Sequence, residues 1–344
     1  MKVNRKNLVD CLEKVVPALG FNMLVPEFQY LQVNKRLIQA TDGALIIEST
    51  LPEGSDFGQF AIPGRSFYDL LRGLDKEEVD LILKDDKLKV KTNKVEGTFT
   101  ILNKVNFREI DDPDSLVPTV DIPDFIQGLN FCRFGVSKDE TSGPLCGVRI
   151  NDNLLFSSDR YRISKWILNN NLSFKCSLPV KFIDILFKNK DEIQEMGYSK
   201  QNTFVVILCD GTTIVTSVLT GEYQDLLQYF PTVGESIEVK LIDDLSDVLE
   251  RHISFLKNVN ETDKEITIKI CENKCITTSI DKELGIFKEE LEASAGTDIE
   301  IELKVNPIFL RDIIKVCSNF RYYKELGLIL FEAVNLQYLA QIRK

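Results

Sequence analysis

A pattern of helix, strands, proline-led helix and more strands recurs three times along the 344-residue chain, and it constrains the fold more than any other feature. The first helix of each unit reads NRKNLVDCLEKVVPAL from Asn4, PDFIQGLNFCRFGVSK from Pro123 and KLIDDLSDVLERHISFLK from Lys240. Leu8 and Leu12 align with Phe125 and Leu129, and these with Leu245 and Leu249, at offsets of 117 and 120 residues. Apolar residues at i, i+4 spacing mark one buried helix face in every copy. The second helices read IPGRSFYDLLRGL from Ile62, LPVKFIDILFKNK from Leu178 and VNPIFLRDIIKVC from Val305. Each sets a proline (Pro63, Pro179, Pro307) at or near the first turn, where its missing N–H costs nothing. Alternating stretches such as LKVKTNKVEGTFTI, NTFVVILCDGTTIVTSV and EITIKICENKCITTSI read as strands.

The chain thus divides into three similar domains, residues 1–116, 117–232 and 233–344, with boundaries in the Pro-, Asp- and Gly-bearing segments DDPDSLVP and YFPTVGE. The expected class is α+β: three repeated domains, each with two helices on antiparallel sheets. No run of ~18 apolar residues is present, so no membrane helix is expected. The opening MKVNRKNLVDCLEKV has charges where a secretory signal has an apolar region, and a cytoplasmic protein is the expectation.

The residue inventory excludes most catalytic chemistry. There is one histidine, His252, which removes multi-histidine metal sites and most histidine-dependent triads. No phosphate-binding G-x-x-x-x-G-K-[ST] loop or G-x-G-x-x-G turn occurs. His252 falls in the charged run LERHISF and reads as a solvated helix position. The eight cysteines, Cys11, Cys132, Cys146, Cys176, Cys209, Cys271, Cys275 and Cys317, are scattered without a C-x-x-C and read as small buried thiols. Neither a catalytic residue, a metal site nor a cofactor is expected, and the search turns to binding.

The formal net charge is −11, which by itself argues against a nucleic-acid partner. Its distribution argues otherwise. Over the six expected helices, drawn as 4–19, 63–73, 123–138, 179–190, 240–257 and 307–324, the charge sums to +7, leaving −18 on the remainder. A basic helical surface facing a polyanion, with an acidic exterior, fits that segregation.

These features together resemble a bacterial sliding clamp, the beta subunit of DNA polymerase III. The likeness covers the whole chain and rests on local matches in order. ATDGALIIES followed by FAIPGRSFYDLLRGLDKEEVDLILKDDKLKVKT is similar to the family's first-domain core. PLCGVRINDNLLFSSDRYRISKWIL resembles a segment ending T-D-G-H-R-L, here Ser158-Asp159-Arg160-Tyr161-Arg162-Ile163. TGEYQDLLQYFPT resembles the linker into the third domain, and Tyr338–Lys344 stands at the family's C-terminal ending.

The resemblance implies a non-enzymatic processivity factor. Two three-domain chains would form a ring, with helices lining a hole that passes duplex DNA. By position, Arg65 and Arg72 would approach DNA, and Lys181, Lys188, Arg311 and Lys315 are pore candidates by their place on helix stripes. A family arginine after the first helix is replaced near Asn22, and the loop Thr141-Ser142-Gly143-Pro144 lacks paired tyrosines. A second site would capture peptide motifs of polymerase and clamp loader. Its wall would be Leu145, Ser158, Arg160, Tyr161, Arg162, Ile163, Gln224, Gln228, Tyr229, Tyr338, Leu339, Ala340 and Ile342. Arg160 stands for a glycine, Tyr161 for a histidine, Gln224 for a proline and Gln228 for an arginine, so an altered partner peptide is implied. Phe99 and Ile101, in the strand GTFTI, match interface positions, with Ile253 and Phe255 as partners on the second copy. A clamp-like paralogue, a phage- or plasmid-encoded clamp, or a scaffold on the same fold remain the alternatives.

Overall fold

The structure, a computed structural model, describes every residue except 22–23, 54–56, 104–106, 109, 111–114, 117–120, 200–201, 233, 241–243, 272–273, 293–299 and 344. Both domain boundaries fall partly on those residues, and position 22 lies outside the described residues.

Six α-helices are found among the described residues: α1 (Arg5–Val15), α2 (Gly64–Arg72), α3 (Ile122–Cys132), α4 (Val180–Lys188), α5 (Leu245–Phe255) and α6 (Pro307–Ile314). They stand where the repeat places them, but each is shorter. The Asn4 side chain accepts the Asn7 N–H at 3.0 Å to open α1, and Pro17 turns its end into the 3-10 turn Val16–Ala18. Asn306 caps α6 in the same way, accepting from the Ile308 N–H at 2.9 Å. Pro63 and Pro179 each end a strand and hand the chain directly to a helix. The stretch after α6 departs from the sequence expectation. Asn319–Tyr323 is a strand, whose aromatic residues suit a pleated, half-buried surface better than a helix. Residues 237–240 are likewise a strand ahead of α5.

The chain forms two compact units. The first comprises residues 1–126, 172–174 and 181–219, and the second 127–171, 175–180 and 220–344. Each holds one eight-stranded and one four-stranded antiparallel sheet. In the first unit, Leu45–Thr50 pairs with Thr213–Ser217, so four strands of the first repeat continue into strands from the second. In the second unit, Arg162–Ile167 pairs with Leu336–Gln341, joining strands of the second repeat to those of the third. The four-stranded sheets contain Lys2–Asn4, Glu78–Lys84, Lys87–Lys91 and Glu96–Thr100 in one unit, and Gly285–Glu292, Lys274–Asp281, Ile266–Cys271 and Ile301–Val305 in the other.

The stripes read from the sequence are the buried faces: Leu8, Leu12 and Val15 on α1, Phe67 and Leu71 on α2, Phe182, Ile183 and Leu186 on α4, Leu245, Val248 and Leu249 on α5, and Leu310 and Ile313 on α6. Burial of such side chains contributes about 1.5–3 kcal/mol each. Two expectations are corrected here. His252 is not solvated: it is 0% exposed, on the inner face of α5, with Nδ1 2.6 Å from Ser279 Oγ and Nε2 2.8 Å from Thr277 Oγ1. Nor are all the cysteines core thiols. Cys132, Cys176, Cys275 and Cys317 are buried, Cys11, Cys146 and Cys271 are half-buried, and Cys209, in the turn after Thr203–Leu208, is exposed.

Candidate nucleic-acid and peptide-binding sites

Cations can contact a polyanion only if they are exposed and uncommitted. Arg65 and Arg72 are both exposed on α2, and their seven-residue spacing puts them on one helix face. Lys181 and Lys188 repeat the spacing on α4. Arg65, Arg72 and Lys188 have no ion-pair partner among the described residues, whereas Lys181 Nζ is 2.5 Å from Asp42. Arg311 is committed too, to Asp312 at 3.1 Å and to Glu250 at 3.7 Å. Lys315 is the exposed C-cap of α6. The charge segregation shrinks accordingly. With their observed ends the six helices carry nine basic against eight acidic side chains, a net +1 in place of +7. Several basic residues of the longer expected helices, Lys190, Arg321 and Lys324 among them, lie beyond the observed ones.

The expected peptide-pocket residues of the second unit separate into an outer and an inner set. The loop between Leu154–Ser158 and Arg162–Ile167 is built by short side chains. Ser158 Oγ donates to the Arg162 carbonyl at 2.8 Å and accepts the Arg160 N–H at 3.1 Å, while Asp159 Oδ1 accepts the N–H groups of Tyr161 and Arg162, each at 3.1 Å. Arg160 has φ 76°, the left-handed region that favours glycine. The backbone at this position therefore keeps the conformation that a glycine would adopt freely, at a cost of about 1–2 kcal/mol for arginine. Arg160 and Tyr161 are exposed, and the Tyr161 ring lies 6.4 Å from the ring of Phe309 on α6. Leu145 is half-buried.

The segment Tyr223–Phe230 is pinned by Leu226, which is buried with Phe156, Ile163, Leu330 and Leu339, and by Tyr223 and Phe230 at the margin of that cluster. Its polar residues face outward: Gln224 Nε2 donates to Tyr229 Oη at 2.7 Å, and Gln228 Nε2 donates to the Asp225 carbonyl at 2.8 Å. The inner set is different in kind. Ser158, Arg162, Ile163, Tyr338, Leu339, Ala340 and Ile342 are all buried. Arg162 pairs with Ala340 and Ile163 with Leu339 across the sheet. Burial pushes the Tyr338 phenol well above its ordinary value, so it remains a donor, and its Oη gives a hydrogen bond to the Phe309 carbonyl at 2.9 Å. Phe309, Asp159 and Asp312 are not singled out by the sequence reading. No repeat position marks Phe309: counted from the first helical residue, Ile308 takes the place of Arg65 and Lys181.

Of the expected interface residues, Phe99 lies on an edge strand and Ile253 and Phe255 on the helix α5. Glu96–Thr100 and Gly285–Glu292 are each the outermost strand of a four-stranded sheet. Phe99 is half-buried, its ring 5.7 Å from Phe67. Ile101 lies one residue past the strand; it is buried and its N–H donates to the Asp86 carbonyl at 3.0 Å, so it packs within its own unit. Ile253 and Phe255 are half-buried on α5, with the Phe255 ring stacked 5.5 Å from Phe287 in the edge strand. Residues 87–100 carry a net +3 and residues 281–292 a net −3.

Repeated helices on antiparallel sheets that run from one repeat into the next are the layout of the DNA-clamp fold. Comparison with known proteins agrees. Residues 1–111 match the family model of the DNA polymerase III beta subunit, N-terminal domain. The chain is 23% identical over 338 residues to the beta sliding clamp of Chlamydia muridarum, covering 91% of this chain and 88% of that protein. It is 23% identical over 354 residues to the beta sliding clamp of Staphylococcus aureus, covering 92% and 90%. The fold matches the DNA polymerase III beta subunit of Thermotoga maritima with a TM-score of 0.82 at 20% identity, covering 100% of this chain and 98% of that one. It also matches the Bartonella birtlesii clamp, solved bound to griselimycin, with a TM-score of 0.83 at 16% identity, covering 100% and 99%. Over about nine-tenths of its length the chain is thus similar to beta sliding clamps, and its first 111 residues match the N-terminal domain model of the DNA polymerase III beta subunit.

Proposed function

We propose that the chain closes with a second copy into a ring around duplex DNA and holds a DNA polymerase there, through three domains at 1–116, 117–232 and 233–344. The observation that carries this reading is a pair of edge strands, Glu96–Thr100 and Gly285–Glu292, each paired on one side only among the described residues and set in regions of net +3 and −3. An open edge is a pairing template, and head-to-tail pairing of opposite charges between two copies satisfies both edges. Phe99, Ile253 and Phe255, all half-buried, supply apolar area beside those strands. The exposed cations Arg65, Arg72, Lys188 and Lys315 make phosphate contacts without base readout, and Lys181 and Arg311, each held by a carboxylate, play a lesser part.

The exposed set Arg160, Tyr161, Gln224, Gln228 and Tyr229, with Leu145, forms the rim that meets partner peptides of polymerase and clamp loader, over the buried apolar cluster of Ile163 and Leu339. The left-handed backbone retained at Arg160 supports the correspondence, and the added cation and ring there favour a partner peptide of altered sequence. The chain acts without catalysis and without a cofactor, in the cytoplasm.

The test is retention. The protein is loaded with a clamp loader onto nicked circular DNA, and its release is followed before and after the circle is cut. Slow loss from circles with rapid loss from linear ends is expected; equal loss from both refutes a topological ring.

A further inference from the structure

We propose that Asp312 and Arg162 act as a positioning pair for the peptide site, holding the Arg160–Tyr161 loop in place without touching the peptide; this rests on the peptide-pocket reading of the second unit. The family resemblance puts Arg162 in the pocket wall, yet its side chain is 7% exposed and every part of it is engaged from within. Nε is 2.9 Å from Asp159 Oδ2 and Nη1 is 2.8 Å from Asp312 Oδ2. Nη1 also lies 3.3 Å from Tyr338 Oη, Nη2 donates to the Phe134 carbonyl, and the guanidinium sits 4.1 Å over the Phe309 ring.

One planar fork therefore ties four segments together: the loop at 159–162, the turn after α3, helix α6 and the C-terminal strand Leu336–Gln341. Asp312 serves two cations with different oxygens, Oδ2 to Arg162 and Oδ1 to Arg311 at 3.1 Å. Its own side chain is 9% exposed. Such a buried set is weak evidence for stability, but it fixes one geometry well, because a displaced member leaves a charge unpaired. What it fixes is the loop whose exposed residues, Arg160 and Tyr161, stand at the rim. Asp159 is held by Arg162, and Asp159 in turn holds the N–H groups of Tyr161 and Arg162. Removing the Asp312 charge frees the fork to move toward Asp159 alone and loosens the rim.

The test uses the full chain and the variants Asp312→Asn and Arg162→Lys, with three readouts: thermal melting, amide hydrogen exchange, and affinity for griselimycin as the probe. The expected result is that Asp312→Asn melts within a few degrees of the parent, that exchange at the Tyr161 and Arg162 amides quickens about tenfold while the first unit is unchanged, and that griselimycin affinity falls about tenfold. Arg162→Lys keeps the charge without the fork and is expected to show the same local loosening. Parental exchange at those two amides in both variants would overturn the proposal. So would global melting of both variants, which marks a purely structural role. If the parent chain does not bind griselimycin, the pocket reading fails, and the exchange measurement still decides whether the pair positions the loop.

Discussion

The lone histidine allows a direct test of the electrostatics in α5. His252 is fully buried, with Ser279 and Thr277 hydroxyls on its two ring nitrogens and the Phe287 ring 4.8 Å away, edge to face. Burial is the main cause that pushes its pKa down to about 4; the neighbouring Glu289 opposes the shift and Arg251 adds to it. In the unfolded chain the ordinary value near 6.5 applies. Because the folded value is the lower one, the neutral imidazole favours the folded state above pH ~6.5, and that contribution is lost as pH falls toward 4. A difference of roughly 2.5 units corresponds to about 3 kcal/mol once the loss is complete, of which about 2 kcal/mol is lost between pH 7.5 and pH 5. That window lies above most carboxylate titrations.

The perturbation is His252→Gln, which keeps a hydrogen-bonding side chain and removes the titrating group. Urea unfolding of parent and variant at pH 7.5 and pH 5 gives the difference of differences, in which all other groups cancel. The expectation is that the parent loses about 2 kcal/mol more than the variant. The single histidine signal in an NMR titration reads the folded value without assignment. An imidazole that titrates near its ordinary value, or a variant as pH-sensitive as the parent, would refute the reasoning.

Other perturbations separate the proposed surfaces. Replacing Arg65, Arg72 and Lys188 together with alanine should leave folding unchanged and lower the slope of DNA affinity against salt by about one for each phosphate the protein no longer neutralises, measured by titration at several ionic strengths. Glu289→Lys with Glu292→Lys should turn a dimer into monomers in sedimentation, and a dimer of unchanged strength would remove the edge assignment. Tyr161→Ala, at a side chain 48% exposed, should weaken peptide or griselimycin binding by about tenfold or more with little change in melting. Leu12→Ala, at a fully buried α1 position, should cost about 2–5 kcal/mol in urea unfolding.

Helix positions and their buried faces are legible in the sequence because period and proline placement are local properties. Leu8 and Leu12, or Phe182 and Leu186, declare their face by spacing alone. Helix ends are not, because the stretch to Lys324 contains residues whose strand pairing is set by distant partners. Asn319–Tyr323 pairs with Ile237–Lys240 and Leu328–Glu332, and no local pattern encodes that choice. The six-helix charge read from the sequence is too high for this reason. The charged residues just before His252, Glu250 and Arg251, mask its place on the apolar stripe with Leu245, Val248 and Leu249. At the proposed peptide site the resemblance points to the segments but does not show which side chains face out. Arg162 looks like a surface residue in sequence, and only the convergence of Asp159, Asp312 and Tyr338 shows why it is inside.

The reduced helix charge bears on how such a protein would stay on DNA. With a net +1 over its helices and −11 over the chain, it is poorly built to grip phosphates by attraction. A handful of exposed cations gives contacts that break and reform readily, which suits movement along a backbone of uniform charge. Retention must then come from closure. The cation and edge variants should therefore differ in kind: loss of Arg65, Arg72 and Lys188 should alter salt dependence while circles still retain the protein, whereas charge reversal at Glu289 and Glu292 should abolish retention on circles altogether. If the cation variant falls off circular DNA as fast as the edge variant, attraction rather than topology holds the protein, and the ring proposal loses its physical basis.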